Sequence, residues 1–246
     1  MLLGDDDNPL PNILGMIIKY RLGSSAMSGS RALSRLLVRC EETGRLLLPQ
    51  ETLRCKVTGR IVGMDQIETC CVTGTAALKR LMLRDSIDGG WLLSHAAARS
   101  DRSGRPCHPG KIVRCAWTGQ GLLPDEVARC RLTGVTFDSD LLYDGEFQLL
   151  RELLNRPWSS TDEELAKELQ IMQNPSLEGI RKACAEWNPG HRVAALRVEL
   201  SNFLGFNRRV AGFIVVRQEE EGRLEVAGQI AMGRVQGGAW RKIEGR

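Results

Sequence analysis

One pattern of polar and apolar positions recurs every fifteen residues along the first half of the chain. In "VRCAWTGQGLLPDEVARCRLTGV", residues 113–135, Cys115-x-x-Thr118-Gly119 is answered by Cys130-x-x-Thr133-Gly134. Steps of fifteen reach Ser25, Cys40, Cys55, Cys70, Asp85, Ser100, Cys115 and Cys130, here called the phase residues. A glycine stands four residues after each, from Gly29 to Gly134, preceded by Ser28, Thr43, Thr58, Thr73, Asp88, Ser103, Thr118 or Thr133. Eight units without an insertion are the signature of an internal repeat. In each unit a short alternating run, such as "KIVR", reads as a strand. The oxygen-bearing residue and its glycine mark a tight turn, because glycine supplies positive φ and the small side chain bonds nearby N–H groups. A second apolar run follows, as in "RLLLP" or "GLLP", and Pro49 or Pro124 ends it. Fifteen residues cannot bury a core alone, but stacked units can. A chain of short β-hairpins and a narrow solenoid both satisfy the period, and the Thr-Gly turn between apolar runs favours hairpins.

Beyond Asp144 the period changes. "GEFQLLRELLNR" puts Phe147, Leu150, Leu153 and Leu154 on one helical face. "SSTDEELAKELQIM" opens on a capping box, Thr161 with Glu164, and carries Leu165, Leu169 and Met172 as its stripe. "NPSLEGIRKACAEW" starts with Asn174 and Pro175, which predicts a third helix burying Leu177, Ile180, Cys184 and Trp187. "HRVAALRVEL", "RVAGFIVVR" and "RLEVAGQIAMG" then read as strands, with "RQEEEGR" as a solvated turn. The predicted fold is α+β. An N-terminal segment (1–24) precedes an array of eight hairpin-like or solenoid repeats (25–144), then a three-helix module with a small antiparallel sheet (145–246).

Helix, turn, helix and strands over residues 144–190 resemble a winged helix-turn-helix domain. Glu164, Leu165, Ala166 and Leu169 of the second helix carry the resemblance, with Ile180 and Ala183 of the third. It implies a third helix in the DNA major groove and a following hairpin on the backbone. Ser176, Arg181 and Lys182 would then face DNA, with Arg192 or Arg208 and Arg209 beside them. Three-helix clusters also serve as protein-docking modules.

Cys-x-x-Thr-Gly resembles a degenerate zinc knuckle, whose full form is Cys-x-x-Cys-Gly. Thr stands in place of the second thiolate, and Ser25, Asp85 and Ser100 share the cysteine column, which favours a turn-capping or small buried role. If zinc binds anywhere, the expected ligands are Cys107 and His108 with Cys115 and Cys130. From Cys40 onward the position before each phase residue holds Arg39, Arg54, Arg84, Arg99, Arg114 and Arg129, broken only by Thr69. A row of guanidiniums can track a phosphate backbone. The net charge over residues 25–144 is only +4, so pairing with acids such as Glu51, Asp65, Asp125 or Glu126 is the preferred reading.

Candidate chemistry is thin. "GRPCHPGKI" resembles a phosphate-binding loop, but five residues separate Gly104 from Gly110, and Ile112 stands where Ser or Thr would hold magnesium. Of the three histidines, His95 lies in an apolar unit and His191 follows a Pro-Gly turn. Cys107 beside His108 would point to opposite faces of a strand. No apolar run approaches the ~18 residues of a membrane span. "MLLGDDDNPLPN" is acidic where a secretory signal is basic. A cytoplasmic setting is expected, with the eight cysteines reduced. The sequence predicts a non-enzymatic binding, scaffold or accessory protein with no cofactor. A protein partner, in an assembly that processes nucleic acid, is expected. The alternative is a direct DNA- or RNA-binding regulator.

Overall fold

The computed structural model describes residues 10–11, 17–18, 21–158, 180–200, 209–217 and 224–243. The chain forms two compact units, Met1–Arg99 with Arg105–Gly110, and Ser100–Gly104 with Lys111–Arg246.

The repeats are β-hairpins. In the first unit Val38–Arg39 pairs with Leu46–Leu47, Thr52–Arg54 with Ile61–Gly63, Ile67–Thr69 with Ala76–Leu78, and Met82–Arg84 with Trp91–Leu93. In the second, Val113–Arg114 pairs with Gly121–Leu122 and Val127–Arg129 with Thr136–Asp138. Each turn closes on its phase residue. The Cys40 N–H donates to the Arg45 carbonyl at 2.8 Å, and the Gly44 N–H to the Cys40 carbonyl at 2.8 Å. All eight repeat glycines have φ between +66° and +74°, which explains their column, since a Cβ there costs ~1–2 kcal/mol. The preceding side chain accepts a bond across the turn: the Gly90 N–H reaches Asp88 Oδ1 at 3.1 Å, and the Arg60 N–H reaches Thr58 Oγ1 at 3.4 Å.

Neighbouring repeats are tied at fixed offsets. The residue after the phase residue donates to a carbonyl in the next hairpin: Glu41 to Ile61, Lys56 to Ala76 and Cys71 to Trp91 in the first unit, Ala116 to Thr136 in the second. Leu47, Val62, Ala77, Leu92, Cys107, Leu122 and Phe137 share one repeat position and are fully buried. This second buried column was not read from the sequence.

A shortened hairpin, Leu142–Tyr143 with Glu146–Phe147, ends the array through a two-residue turn at Asp144 and Gly145, both with positive φ. Helix α1 (Gln148–Asn155) follows and buries Leu150, Leu153 and Leu154, the face expected for "GEFQLLRELLNR". A five-stranded antiparallel meander completes the second unit: β1 (Ile180–Asn188), β2 (Val193–Leu200), β3 (Arg209–Arg217), β4 (Leu224–Gln236) and β5 (Ala239–Lys242). One apolar cluster joins α1 and the last hairpins to Cys184, Ala195, Ile214 and Ala231. A second holds Ala183, Ala185, Ala194, Leu196, Ala211 and Phe213. Gly212 lets the helix approach, since a Cβ would lie 2.9 Å from Leu154 Cδ2.

The molecule is therefore mostly β, and the predicted three-helix winged-helix module is wrong. Its decisive third helix is strand from Ile180 onward, paired residue by residue with β2 from Lys182 to Asn188. Ala183 and Ala185 enter one cluster and Cys184 the other, which is period two, not 3.6. "NPG" opens the β1–β2 turn instead of ending a helix. Tertiary pairing in a sheet with a buried apolar cluster on each face outweighs local helix preference. The second predicted helix, with Thr161, Glu164, Leu165, Ala166, Leu169 and Met172, lies outside the described residues.

Candidate functional site

The phase residues are buried, all at most 3 % exposed, and each does the same work with different atoms. Cys70 Sγ accepts the Leu93 N–H at 3.4 Å, and Cys115 Sγ accepts the Asp138 N–H at 3.3 Å, each from 23 residues ahead. Asp85 accepts the His108 N–H at the same offset, at 2.9 Å, and its other oxygen accepts the Ile87 N–H at 2.8 Å. Serine is too short for this reach. Where it occupies the phase, a glutamate 26 residues ahead fills the gap. Ser25 Oγ–H donates to Glu51, which accepts the Leu48 N–H at 2.9 Å. Ser100 Oγ–H donates to Glu126 at 2.5 Å, and Glu126 accepts the Leu123 N–H at 2.9 Å. After Cys40, Cys55, Cys70 and Cys115 that later position holds Gln66, Leu81, Ala96 and Leu141. Serine and glutamate thus act as a two-residue replacement for one cysteine.

The electrostatics follow. Burial alone would raise the Cys70 thiol, but the Thr73 side chain and the backbone N–H groups of Leu93, Thr73 and Val72 lower it to about 7. The Ser25 hydroxyl, followed by Ser28, holds the Glu51 carboxyl below its usual range.

The expected zinc ligands have separate tasks. Cys107 belongs to the fully buried second column, and His108 Nδ1 accepts the Gly110 N–H at 3.0 Å. Cys115 and Cys130 Sγ accept backbone N–H groups from Asp138 and Phe147. Among the described residues no three His, Cys, Asp or Glu side chains converge. The arginine column also has a local task. Arg54, Arg84 and Arg114 donate to the carbonyls of Gly59, Gly89 and Gly119 in their own turns, at 2.9, 2.7 and 3.1 Å. Of the acids expected to pair with the column, Glu51 and Glu126 serve the serines, and Asp65 pairs with Arg45 at 2.6 Å. The six column arginines, Arg39, Arg54, Arg84, Arg99, Arg114 and Arg129, all remain exposed. Of the recognition-helix residues, Arg181 and Lys182 sit exposed on edge strand β1 beside a bulge, and Arg209 is exposed at the start of β3. Ser176 and Arg208 lie outside the described residues.

A cavity of about 620 Å³ opens at the C-terminal end of α1. Arg156, Trp158, Arg197, Glu199, Arg234 and Gln236 contribute to its lining. Arg197 lies on β2 opposite Gly212, whose missing side chain leaves room on the helix-facing side of the sheet. Its Nη1 donates to the carbonyls of Leu153 and Arg156 at the helix end, where the Leu153 carbonyl also accepts the capping Arg156 N–H. Its guanidinium carbon lies 4.1 Å from the Trp158 ring centroid, a cation–π contact. The residue is only 5 % exposed, its Nε has no hydrogen-bond partner among the described residues, and burial lowers its pKa. Arg156 is paired with Glu186. Sequence reasoning missed this site. The usable signal was Arg197 itself, one charge inside the apolar run "VAALRVEL".

No protein-family model matches the chain, and no curated protein or solved structure matches it. Among the described residues no helix is long and apolar enough to cross a membrane.

Proposed function

We propose that this is a non-enzymatic, cytoplasmic binding or scaffold protein whose hairpin array recognises a protein partner in an assembly that handles nucleic acid. One observation carries the reading. Met27, Val57 and Ile87 occupy the same turn position in alternate repeats of the first unit, and all are exposed large apolar side chains. The exposed arginines Arg54 and Arg84 belong to the same unit, pinned by their turn glycines. Arg84 also stacks on Trp91, 3.7 Å from the ring centroid. Exposed Met27 and the Arg84–Trp91 stack suit a protein interface, where Met, aromatic residues and Arg are enriched. Capture from lysate by the full chain, compared with Val57→Glu and Ile87→Glu, tests it. A partner retained by the parent and lost by both variants is expected. Equal capture by all three contradicts it.

The exposed arginine column favours a second reading, direct contact with DNA or RNA backbone. Anisotropy of a labelled duplex at low and physiological salt tests it. Affinity that falls steeply with salt supports phosphate contacts. An absence of binding at micromolar protein in low salt removes the reading.

A further inference from the structure

We propose that the cavity at the end of α1 binds a small organic phosphate. Its volume, about 620 Å³, falls within the range of roughly 300–1,000 Å³ typical of small-molecule sites, and exceeds what a bare ion needs. Arg156 of the lining is paired with Glu186, which leaves two guanidiniums, Arg197 and Arg234, with one carboxylate, Glu199. That balance, one positive charge in excess, favours an anion. Arg197 is the built element. It is 5 % exposed and stacked on Trp158, so its guanidinium is fixed in the cavity lining before any ligand arrives. The carbonyl end of α1 would repel an anion, but Arg197 already occupies the Leu153 and Arg156 carbonyls. The planar guanidinium fork matches phosphate geometry, and Trp158 gives the organic portion an apolar wall. This site is independent of the proposed array surface.

Titration calorimetry of the full chain at low salt, with ribose 5-phosphate, AMP, inorganic phosphate and adenosine, tests the proposal. Ribose 5-phosphate and AMP should bind, more tightly than inorganic phosphate, and adenosine should not. Arg197→Met removes the cation but also uncaps α1, so Arg234→Ala, an exposed residue, carries the test. It should weaken AMP by about tenfold or more with unfolding unchanged. Trp158→Phe should weaken the organic phosphates more than inorganic phosphate. Val57→Glu should leave AMP affinity intact, which separates this site from the array. No binding of either ester at millimolar concentration overturns the proposal. So does affinity unchanged in both Arg234→Ala and Trp158→Phe, which would place the ligand elsewhere. Equal affinity for phosphate and its esters would also overturn it.

Discussion

In the hairpin array a strand is two or three residues long and depends on what its turn does, whereas in the sheet β4 runs 13 residues and depends on what covers it. The array spends its polar side chains on backbone groups at fixed offsets. The sheet spends apolar side chains on two clusters, and Arg197, the one buried arginine among the described residues, stands out. Local hydrogen bonding can repeat with the sequence, so it leaves a period. Packing of distant strands leaves none.

The largest expected contrast comes from truncating side chains. Leu153→Ala, on the fully buried face of α1, should cost about 2–5 kcal/mol in denaturant unfolding. Leu53→Ala in the array, 42 % exposed, should cost under ~0.5 kcal/mol. Similar losses at both sites would show that burial does not set the cost. Gly59→Ala comes next. Nothing lies within 4 Å of the added Cβ, yet φ is +74°, so a loss of ~1–2 kcal/mol is expected from backbone conformation alone. An unchanged unfolding midpoint would show that the turn does not need its glycine.

A smaller effect is the response to pH. Cys70, lowered from 9.0 to about 7, contributes stability that is fully present above its unfolded pKa and is lost as pH falls through about 7. Thiolate absorbance near 240 nm should therefore show a step close to neutrality that Cys70→Ser removes. Glu51, also lowered, contributes above the ordinary carboxylate range and loses its contribution as pH falls through its folded value. Glu51→Gln should flatten the acid limb of the stability curve. The smallest expected effect is that of chelation. If the cysteines serve backbone N–H groups, EDTA should leave the thermal midpoint unchanged, and a large drop would restore the zinc reading.

The array was largely legible because each turn states its own chemistry: Thr58-Gly59 needs no distant information to be a turn. The phase cysteines were readable as architectural, but their partners were not, because 23 residues separate Cys70 from the Leu93 N–H. Cys107 looked out of place only because the second buried column was unseen. "IRKACAEW" misled because Ala, Lys and Glu suit a helix locally, while pairing with β2 decides its state. Arg197 and Trp158 are 39 positions apart in sequence, and only the fold shows that they meet.

The central claim is that the phase position exists to satisfy an N–H in the next repeat, through one cysteine or through serine plus glutamate. The most direct test converts one form to the other. Ser100→Cys, Glu126→Leu and the double variant, measured by equilibrium unfolding, would recreate the Cys115 and Leu141 arrangement at residues 100 and 126. Each single change should cost more than ~1 kcal/mol, by crowding a buried carboxylate or stranding the Leu123 N–H. The double variant should lie within ~0.5 kcal/mol of the parent, a strongly non-additive cycle. Additive losses would contradict the claim.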